Sequence, residues 1–536
     1  MKKILLYSVI LFQCIAFAQQ DAWVYLTDKE NVSASIANPI AILTQNAINR
    51  KAAHNIMIDE RDVPVNESYI SQLKNQPGIT VHAKSKWFNA VYVRGTEANI
   101  SALESLSFVE SVDFANKALN SESRSSEHND KFEIEENLVD FSYGNAQNQV
   151  EMISVDALHL DDYTGEGIII AVLDSGFPNV DTMAAFQRLR DNGDLLGGYD
   201  FVDRTPDVFA FTANTHGTRV LSNMAGFIQD QYVGTAPDAS YYLFRTEDAN
   251  RETPLEEMLW VEAAERADSL GVHIINSSLG YRVYDNTNYS YTTDDMDGNT
   301  AFITKGANIA NEKGILVVAS AGNSGNNDWQ IVGAPADAAG VLSVGAVNAT
   351  GQYATFSSRG NATQPTQKPD VVARGEAAFV IDETNNVVNN NGTSFSSPIL
   401  AGGIASLWQA LPNASHEEIK QYVRMSASQY NTPNFLLGYG IPNLQLAFDI
   451  GLSVEEETFT SFNIFPNPAT TILNIQVPFG ISNTNLKIYD TLGKLILDQN
   501  LQRASSQLDV SSMASGVYIM SFQSENTSKL FKLIKS

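Results

Sequence analysis

The chain has a single cysteine among its 536 residues, Cys14, which stands in the apolar segment at the N-terminus. Once that segment is removed on export, no thiol remains, which excludes disulfides, cysteine-ligated zinc, iron–sulfur clusters and cysteine nucleophiles. Basic residues are also scarce, because 34 Lys and Arg stand against 61 Asp and Glu, a formal net charge of −27. Such a surface repels phosphate backbones, so we do not expect nucleic acid as a partner.

No apolar run of the sequence is long enough to span a membrane. The longest run lies at the N-terminus and is typical of an export signal. Lys2 and Lys3 precede an apolar run over residues 4–17, which ends in Ala16-Phe17-Ala18. A basic start, a short apolar segment and a small-x-small ending predict a secretory signal peptide over residues 1–18. A membrane anchor would need about 20 apolar residues, more than this run contains. We therefore expect a secreted or cell-surface protein.

Changes in sequence pattern divide the rest of the chain into several domains, as its length requires. Residues 19–120 read as a small α/β unit, and the polar stretch 121–144 reads as an exposed linker. A larger α/β domain is expected over 145–452. An acidic hinge at 453–458 then leads to a tail, 459–536, with the short alternating strands and turn signals of a small β-sandwich.

Periodicity gives a coarse secondary structure for the first two domains. In the first, it predicts strands at 22–26, 88–93 and 109–114 and helices at 69–75 and 97–105. In the second, short apolar runs alternate with helical stretches such as 254–270. Those runs are 168–173, 241–244, 272–275, 315–319 and 341–344. Apolar runs without alternation, separated by helices, predict a parallel sheet covered by helices on both faces.

Four polar residues stand at the strand ends and helix starts where α/β sheets place their active sites. Asp174 ends a predicted strand, His216 and Ser394 each open a predicted helix, and Asn323 lies in a glycine-flanked loop. Each alone is weak evidence, since an Asp or a Ser at such a place is usually a cap, and Asn is common in turns. Their order, Asp then His then Ser, is that of the subtilisin triad.

The chain resembles the subtilisin-like (subtilase) serine proteases over about 300 residues. The motifs that carry the resemblance are Asp174-Ser-Gly, His216-Gly-Thr, Asn276-Ser-Ser-Leu-Gly, Ala321-Gly-Asn-Ser-Gly, Phe356-Ser-Ser, Lys368-Pro-Asp-Val-Val and Gly392-Thr-Ser-Phe-Ser-Ser-Pro. The resemblance implies a subtilisin-like parallel sheet and an endopeptidase that hydrolyses peptide bonds. It also implies that Ser394 is the nucleophile, His216 its base, Asp174 the orienting carboxylate and Asn323 an oxyanion donor.

The same resemblance implies a substrate cleft with two walls. Ser278, Leu279 and Gly280 resemble the backbone edge that pairs with an extended peptide, and Ser320, Ala321 and Gly322 resemble the opposite wall. Neither wall carries a charge, so we expect a preference for apolar or uncharged side chains. Ala334-Pro335 resembles the family's cis-proline turn.

The chemistry of a serine triad requires no cofactor, and we assign no metal ligand. Structural calcium, which subtilases often bind, stays open. The run Asp294-Asp-Met-Asp-Gly-Asn299 offers hard oxygen ligands, but it lacks the final Glu of an EF-hand loop, and solvated loop acids are common.

The flanking domains resemble the zymogen and export parts of such enzymes. Residues 19–120 resemble an inhibitory propeptide, with maturation in the linker 121–144; a permanent accessory domain is the alternative. The tail resembles the C-terminal sorting domain of type IX secretion, with a carbohydrate-binding sandwich as the alternative. The motifs are Phe465-Pro-Asn-Pro, Leu486-Lys-Ile-Tyr-Asp, Gly493-Lys, Gly516-Val-Tyr and Lys529-Leu-Phe-Lys-Leu-Ile-Lys.

These resemblances imply three partners: protein or peptide substrates, the chain's own propeptide and the outer-membrane secretion machinery. A different class of function is an exported surface binding protein whose protease fold is degenerate. The sequence favours an enzyme, because Asp174, His216, Ser394 and Asn323 fill all four catalytic positions with the required residue types.

Overall fold

The structure is a computed structural model that describes residues 19–120, 144–460, 463–476, 484–490, 493–501, 505–524 and 527–536. The predicted signal peptide, 1–18, lies outside the described residues, as does nearly all of the predicted linker, 121–144. The chain forms two compact units, Met1–Phe448 and Asp449–Ser536. Among the described residues, no helix is both long and apolar enough to cross a membrane.

The N-terminal domain is a four-stranded antiparallel sheet in the order β2-β3-β1-β4, covered by short helices. Its strands are β1 (Gln19–Leu26), β2 (Thr80–Ser85), β3 (Ala90–Thr96) and β4 (Val109–Phe114). Its helices are α1 (Val32–Ala37), α2 (Gln45–Ala53), α3 (Glu67–Lys74) and α4 (Glu97–Ser101). The predicted elements are present, and β2, α1 and α2 are additions that the pattern did not indicate.

The central domain contains a seven-stranded parallel sheet in the order β13-β12-β11-β10-β5-β9-β6. Its strands are β5 (Ile169–Asp174), β6 (Leu195–Asp200), β7 (Phe227–Ile228), β8 (Tyr232–Val233), β9 (Ser240–Arg245), β10 (Ile274–Ser277), β11 (Leu316–Ser320), β12 (Leu342–Val347), β13 (Val371–Arg374), β14 (Ala378–Ile381) and β15 (Val387–Asn390). Strands β7–β8 and β14–β15 form two small antiparallel pairs outside the main sheet. The predicted parallel sheet is confirmed.

Helices pack on both faces of this sheet. They are α5 (Gln147–Met152), α6 (Val155–Leu160), α7 (Gln187–Asp191), α8 (His216–Ala225), α9 (Leu255–Leu270), α10 (Phe302–Glu312), α11 (Thr393–Ala410), α12 (His416–Met425) and α13 (Leu444–Thr460). Ala171 and Leu173 of β5 share a buried cluster with α9 and α10. Because strand side chains alternate, Ile170 and Val172 face the other side, where α8 and α11 contact the sheet.

The N-terminal sheet has both of its faces buried. Ala22 and Val24 of β1 pack into a core formed with the domain's own helices. Trp23, between them, faces the central domain and stacks on Phe302 at the start of α10, with ring centroids 4.9 Å apart. The sheet is therefore part of the central domain's hydrophobic core as well as of its own.

The C-terminal unit is built from two antiparallel sheets, in the orders β16-β17-β20 and β19-β18-β21-β22. Their strands are β16 (Asn463–Phe465), β17 (Ile472–Gln476), β18 (Thr484–Asp490), β19 (Leu495–Leu501), β20 (Ser505–Asp509), β21 (Gly516–Ser524) and β22 (Thr527–Lys535). Leu473 and Leu508 of one sheet share a buried cluster with Ile488 and Phe522 of the other, as a small β-sandwich requires. The hinge expected at 453–458 is part of helix α13.

Candidate active site

The carboxyl edge of the parallel sheet brings the predicted site residues to one region. Asp174 ends β5, Ser278 follows β10 and Asn323 follows β11, and these three strands are neighbours in the sheet. His216 is the first residue of α8, and Ser394 lies in the first turn of α11. The contacts of His216 with Asp174 and of Ser394 with Ser278 place the starts of both helices beside this edge.

Asp174 and His216 are in direct contact. The Oδ1 atom of Asp174 lies 2.7 Å from Nδ1 of His216, and the carboxylate is completely buried. The backbone N–H and the hydroxyl of Ser175 donate to the same Oδ1, at 2.7 and 3.1 Å. Gly217 permits this approach, since a Cβ there would lie 2.5 Å from the carbonyl oxygen of Gly176. A carboxylate at Nδ1 holds the imidazole in one orientation.

Asn214 supports this pair and was not expected from the sequence. Its Oδ1 accepts the backbone N–H of His216 at 2.9 Å and the hydroxyl of Ser175 at 3.0 Å. An Asn side chain that accepts the N–H two residues later is a regular feature of turns before helices. The spacing Asn214-Thr-His216 therefore contained a signal for this role.

Ser394 is anchored between α11 and the loop after β10. Its hydroxyl donates to the carbonyl oxygen of Ser278 at 3.3 Å, and its own carbonyl accepts the Ser278 hydroxyl at 2.9 Å. The ring of the next residue, Phe395, lies 6.0 Å from the imidazole of His216, centroid to centroid. The residue after the serine thus lies beside the histidine, and the serine itself is in the first turn of an 18-residue helix.

The orientation of the Asn323 amide is set by Thr393. The backbone N–H and the hydroxyl of Thr393 both donate to Oδ1 of Asn323, each at 2.9 Å. The Thr393 hydroxyl also accepts the N–H of Gly322 at 3.1 Å. With Oδ1 occupied by two donors, the Nδ2 group of Asn323 is left to donate elsewhere. Thr393 belongs to the motif Gly392-Thr-Ser-Phe-Ser-Ser-Pro, but the sequence did not predict this role for it.

Ser394, Asn323 and Thr393 share one pocket. It encloses about 660 Å³ of space, counting its open mouth. All six residues predicted for the cleft line it as well: Ser278, Leu279, Gly280, Ser320, Ala321 and Gly322. Arg282 and Trp329 are among the further residues that line it. The two walls are uncharged as expected, but Arg282 brings a positive charge that the sequence analysis did not consider.

The acidic run at 294–299 is not arranged as a metal site. Asp295 Oδ2 accepts the N–H and the hydroxyl of Thr292 and faces Lys117. Both carboxylate oxygens of Asp297 accept hydrogen bonds from the turn that follows it. Over the described part of the chain, no group of three or more His, Cys, Asp or Glu is placed to hold a metal ion. These carboxylates cap turns, so the run gives no support for calcium.

Comparison with protein families gives three matches that follow one another along the chain. A model described as "Subtilase family" matches residues 165–440, which is more than half of the chain. A model described as "Peptidase S8 propeptide domain, Bacteroidota" matches residues 21–131. The tail, residues 463–536, matches a "Secretion system C-terminal sorting domain". The protein is therefore a secreted or cell-surface protein.

Individual relatives agree with the central match. Subtilisin E of Bacillus subtilis is 30% identical over 56% of this chain and 70% of the relative. Subtilisin DY of Bacillus licheniformis is 27% identical over 56% of this chain and 97% of the relative. Alkaline elastase YaB of a Bacillus strain is 30% identical, and the match covers 53% of this chain and 65% of that protein.

A solved structure, the MycP3 protease of a type VII (ESX-3) secretion system, is similar at a TM-score of 0.46 and 19% identity, over 59% of this chain and 93% of that one. This similarity is too low to bear on function. The family match over 165–440 and the 30% identity to subtilisin E carry the assignment. The chain belongs to the subtilase family of serine endopeptidases.

Proposed function

We propose that the protein cleaves peptide bonds through Ser394, His216 and Asp174. Ser394 attacks the peptide carbonyl as His216 takes the hydroxyl proton, and His216 later returns that proton to the leaving amine. Asp174 orients the imidazole and stabilises its protonated form. The observation that carries the proposal is the 2.7 Å contact of Asp174 with His216, at the same edge of the sheet where Ser394 and Asn323 line one pocket.

Asn323 is the side-chain donor to the tetrahedral oxyanion. Its Oδ1 is occupied by Thr393, so its NH₂ group is free to donate to the negative oxygen together with the backbone N–H of Ser394. The start of α11 adds the favourable field of a helix N-terminus. No step of this mechanism needs a metal or another cofactor.

Substrates are proteins or peptides whose chain pairs with the edge Ser278-Leu279-Gly280, with the opposite wall formed by Ser320-Ala321-Gly322. Both segments line the pocket that contains Ser394. The extended pairing gives affinity through the backbone and leaves specificity to the pockets.

The N-terminal domain acts as an inhibitory propeptide, so the protein is made as a zymogen and matured in the linker 121–144. The match of 21–131 to a peptidase propeptide supports this role. The interaction with the central domain is extensive, because one face of the N-terminal sheet is buried against α9 and α10. The tail, 459–536, is recognised by the outer-membrane secretion machinery during export.

A fluorophosphonate probe tests the catalytic assignment, because it reacts only with a serine activated by a base. The matured wild type is expected to be labelled at Ser394, and the Ser394→Ala variant is expected to stay unlabelled. His216→Ala, which keeps the serine, is expected to label at least a hundredfold more slowly. A matured wild type that hydrolyses peptides without label at Ser394 would overturn the assignment.

A further inference from the structure

Arg282 lines the pocket described above and follows the segment Ser278-Leu279-Gly280 by two residues. It lines the same cavity as Ser394 and Asn323. Its carbonyl oxygen accepts the backbone N–H of Tyr291 at 2.7 Å, which holds the loop that carries it. The side chain is partly buried, and its guanidinium lies over the ring of Trp329, 5.5 Å from the centroid.

None of the described residues provides a counter-ion for Arg282. Within the described residues, its side chain makes no hydrogen bond and no ion pair, and the contact with Trp329 is its one polar interaction. Burial lowers the pKa of Arg282 from its ordinary value, yet an arginine keeps its charge at neutral pH. A partly buried cation without a partner destabilises the folded protein, because no ion pair offsets the free energy of removing its charge from water.

Two other buried or partly buried arginines of this chain are paired with carboxylates, and buried Arg374 donates to Asn148 and to the carbonyl oxygen of Ala377. The side chain of Arg282 has neither kind of contact with the described residues. Arg245 contacts Asp200 and Asp203, both at 2.7 Å, and Arg424 contacts Asp370 at 2.6 Å. Carboxylates are abundant here, with 61 acidic against 34 basic residues. Even so, none of the described carboxylates is placed beside Arg282 within ion-pair distance.

The pocket also has a second free donor and room for a ligand. The indole N–H of Trp329 is buried without an acceptor among the described residues. Gly333 lines the same cavity, and a Cβ built on it would meet no atom within 4 Å. A flexible side chain with a terminal carboxylate matches this pocket in charge, and a guanidinium binds a carboxylate through two parallel hydrogen bonds.

We propose that Arg282 is the specificity-determining residue of this pocket, and that the enzyme prefers to cleave after acidic side chains, glutamate or aspartate. The proposal rests on the function proposed above, because it takes Ser394 as the nucleophile beside the pocket. The substrate supplies a counter-ion that none of the described residues provides. The preference expected from the uncharged walls alone, for apolar or uncharged side chains, is replaced by this one.

Peptide p-nitroanilides that differ only in the residue before the cleaved bond test the preference in the matured full enzyme. Glutamine is the matched neutral control for glutamate, and leucine represents the apolar class. For the wild type, we expect kcat/KM for glutamate to exceed both by at least tenfold. Equal or greater kcat/KM for glutamine or leucine would overturn the proposal.

Substitution of the arginine locates the effect. In Arg282→Gln, the glutamate-to-glutamine ratio of kcat/KM is expected to fall at least tenfold, while hydrolysis of the leucine peptide changes less than about threefold. Arg266→Gln, the same change of charge on α9, is expected to keep the wild-type ratio. An unchanged ratio in Arg282→Gln would show that another group selects the substrate.

Two measurements separate failure of this proposal from failure of the proposed function. Fluorophosphonate labelling at Ser394 and cleavage of any peptide in the series show an active triad, whatever the side chain preferred. If Arg282→Gln does not mature, the wild-type kcat/KM values for the glutamate, glutamine and leucine peptides still test the preference. Inhibition of the wild type by two peptide aldehydes, which differ only in ending in glutamate or leucine, tests it a second time. The glutamate aldehyde is expected to inhibit the wild type at least tenfold more tightly, and the reverse order would refute the preference.

Discussion

At the scale of single residues, the site depends on side chains that orient other side chains. Thr393 is the clearest case, because its N–H and hydroxyl both fix Oδ1 of Asn323. The same hydroxyl accepts a hydrogen bond from the N–H of Gly322, and this bond connects the loop after β11 to the start of α11. An amide that is fixed before the substrate arrives needs no reorganisation in the transition state. Thr393 is thus a positioning residue for the oxyanion donor.

Replacement of Thr393 by valine keeps its shape and removes only the hydroxyl. We expect kcat to fall about tenfold with little change in KM, because one of two donors to Asn323 is lost. Asn323→Ala should cost roughly 10²–10³ in kcat, the usual effect of removing an oxyanion donor. Steady-state kinetics with the preferred peptide measure both effects.

The double variant identifies the route of action. If Thr393 acts through Asn323, Thr393→Val in the Asn323→Ala background should cost almost nothing more, since coupled residues are not additive. Thr393→Ser, which keeps the hydroxyl, should retain most of the activity. A full additional tenfold loss in the double variant would mean that Thr393 acts on something else.

At the scale of secondary-structure elements, Glu265 of α9 joins the N-terminal domain to the central one. Its carboxylate accepts the backbone N–H groups of Lys86 and Trp87, each at 3.0 Å, and the hydroxyl of Ser85. These donors lie at the end of β2 and in the turn that leads to β3. Burial raises the pKa of Glu265 to about 6, against the favourable charge of Lys86 and these hydrogen bonds. A single carboxylate of the central domain thus accepts three hydrogen bonds from residues 85–87 of the N-terminal domain.

Glu265→Ala is expected to loosen the N-terminal domain, because it leaves two buried backbone N–H groups without an acceptor. After maturation, residual inhibition by the cleaved domain should decay at least tenfold sooner than in the wild type, followed as the lag before full peptidase activity. Glu265→Gln keeps one acceptor oxygen, so its lag should lie between those of the wild type and Glu265→Ala. An unchanged lag in Glu265→Ala would contradict an inhibitory role for this interface.

The elements themselves were predictable where one physical signal dominated. The run Ile-Ile-Ala-Val-Leu before Asp174 has no alternation, as expected of a central strand covered on both faces, and it forms β5. β6 was not predicted, because Leu195–Asp200 contains two glycines and pairs only with β9, at the sheet edge. This edge strand lacks the apolar run that marks the central strands.

The site was predictable only as far as its motifs extend. Asp174, His216, Ser394 and Asn323 stand in short segments with a recognisable order, and the structure brings them to one edge of the sheet. The role of Arg282 was out of reach, because it depends on which carboxylates are missing around it. Such an absence becomes visible only when the chain is folded.

At the scale of the whole molecule, the N-terminal and central domains share a buried cluster of charges and histidines. Arg50 and Lys51 of α2 both contact Asp268 of α9, at 2.5 and 2.9 Å. His273 lies nearby, and its Nδ1 accepts the backbone N–H of Ile169 at 3.1 Å. Burial, with the charge of Arg50, lowers the pKa of His273 to about 3. The folded protein therefore holds this ring neutral.

Two further histidines around Arg50 behave in the same way. Burial lowers the pKa of His54, the residue that follows α2. Burial and the charge of Lys420 lower the pKa of His416 to about 4. In the unfolded chain a histidine binds a proton near pH 6.5. Their contribution to stability is thus fully present above pH 6.5 and is lost as the pH falls toward the folded pKa values.

A pH series on the uncleaved Ser394→Ala protein tests this consequence. His273→Asn keeps an acceptor near the position of Nδ1 but cannot be protonated, so its thermal midpoint should fall less steeply between pH 6.5 and pH 4. The difference in unfolding free energy should change by roughly 1.4 kcal/mol per pH unit in this window. The raised pKa of Glu265 acts in the opposite direction, but it is common to both proteins and cancels. Parallel pH profiles for the two proteins would show that His273 is already protonated in the folded state, and that the acid sensitivity of this interface has another origin.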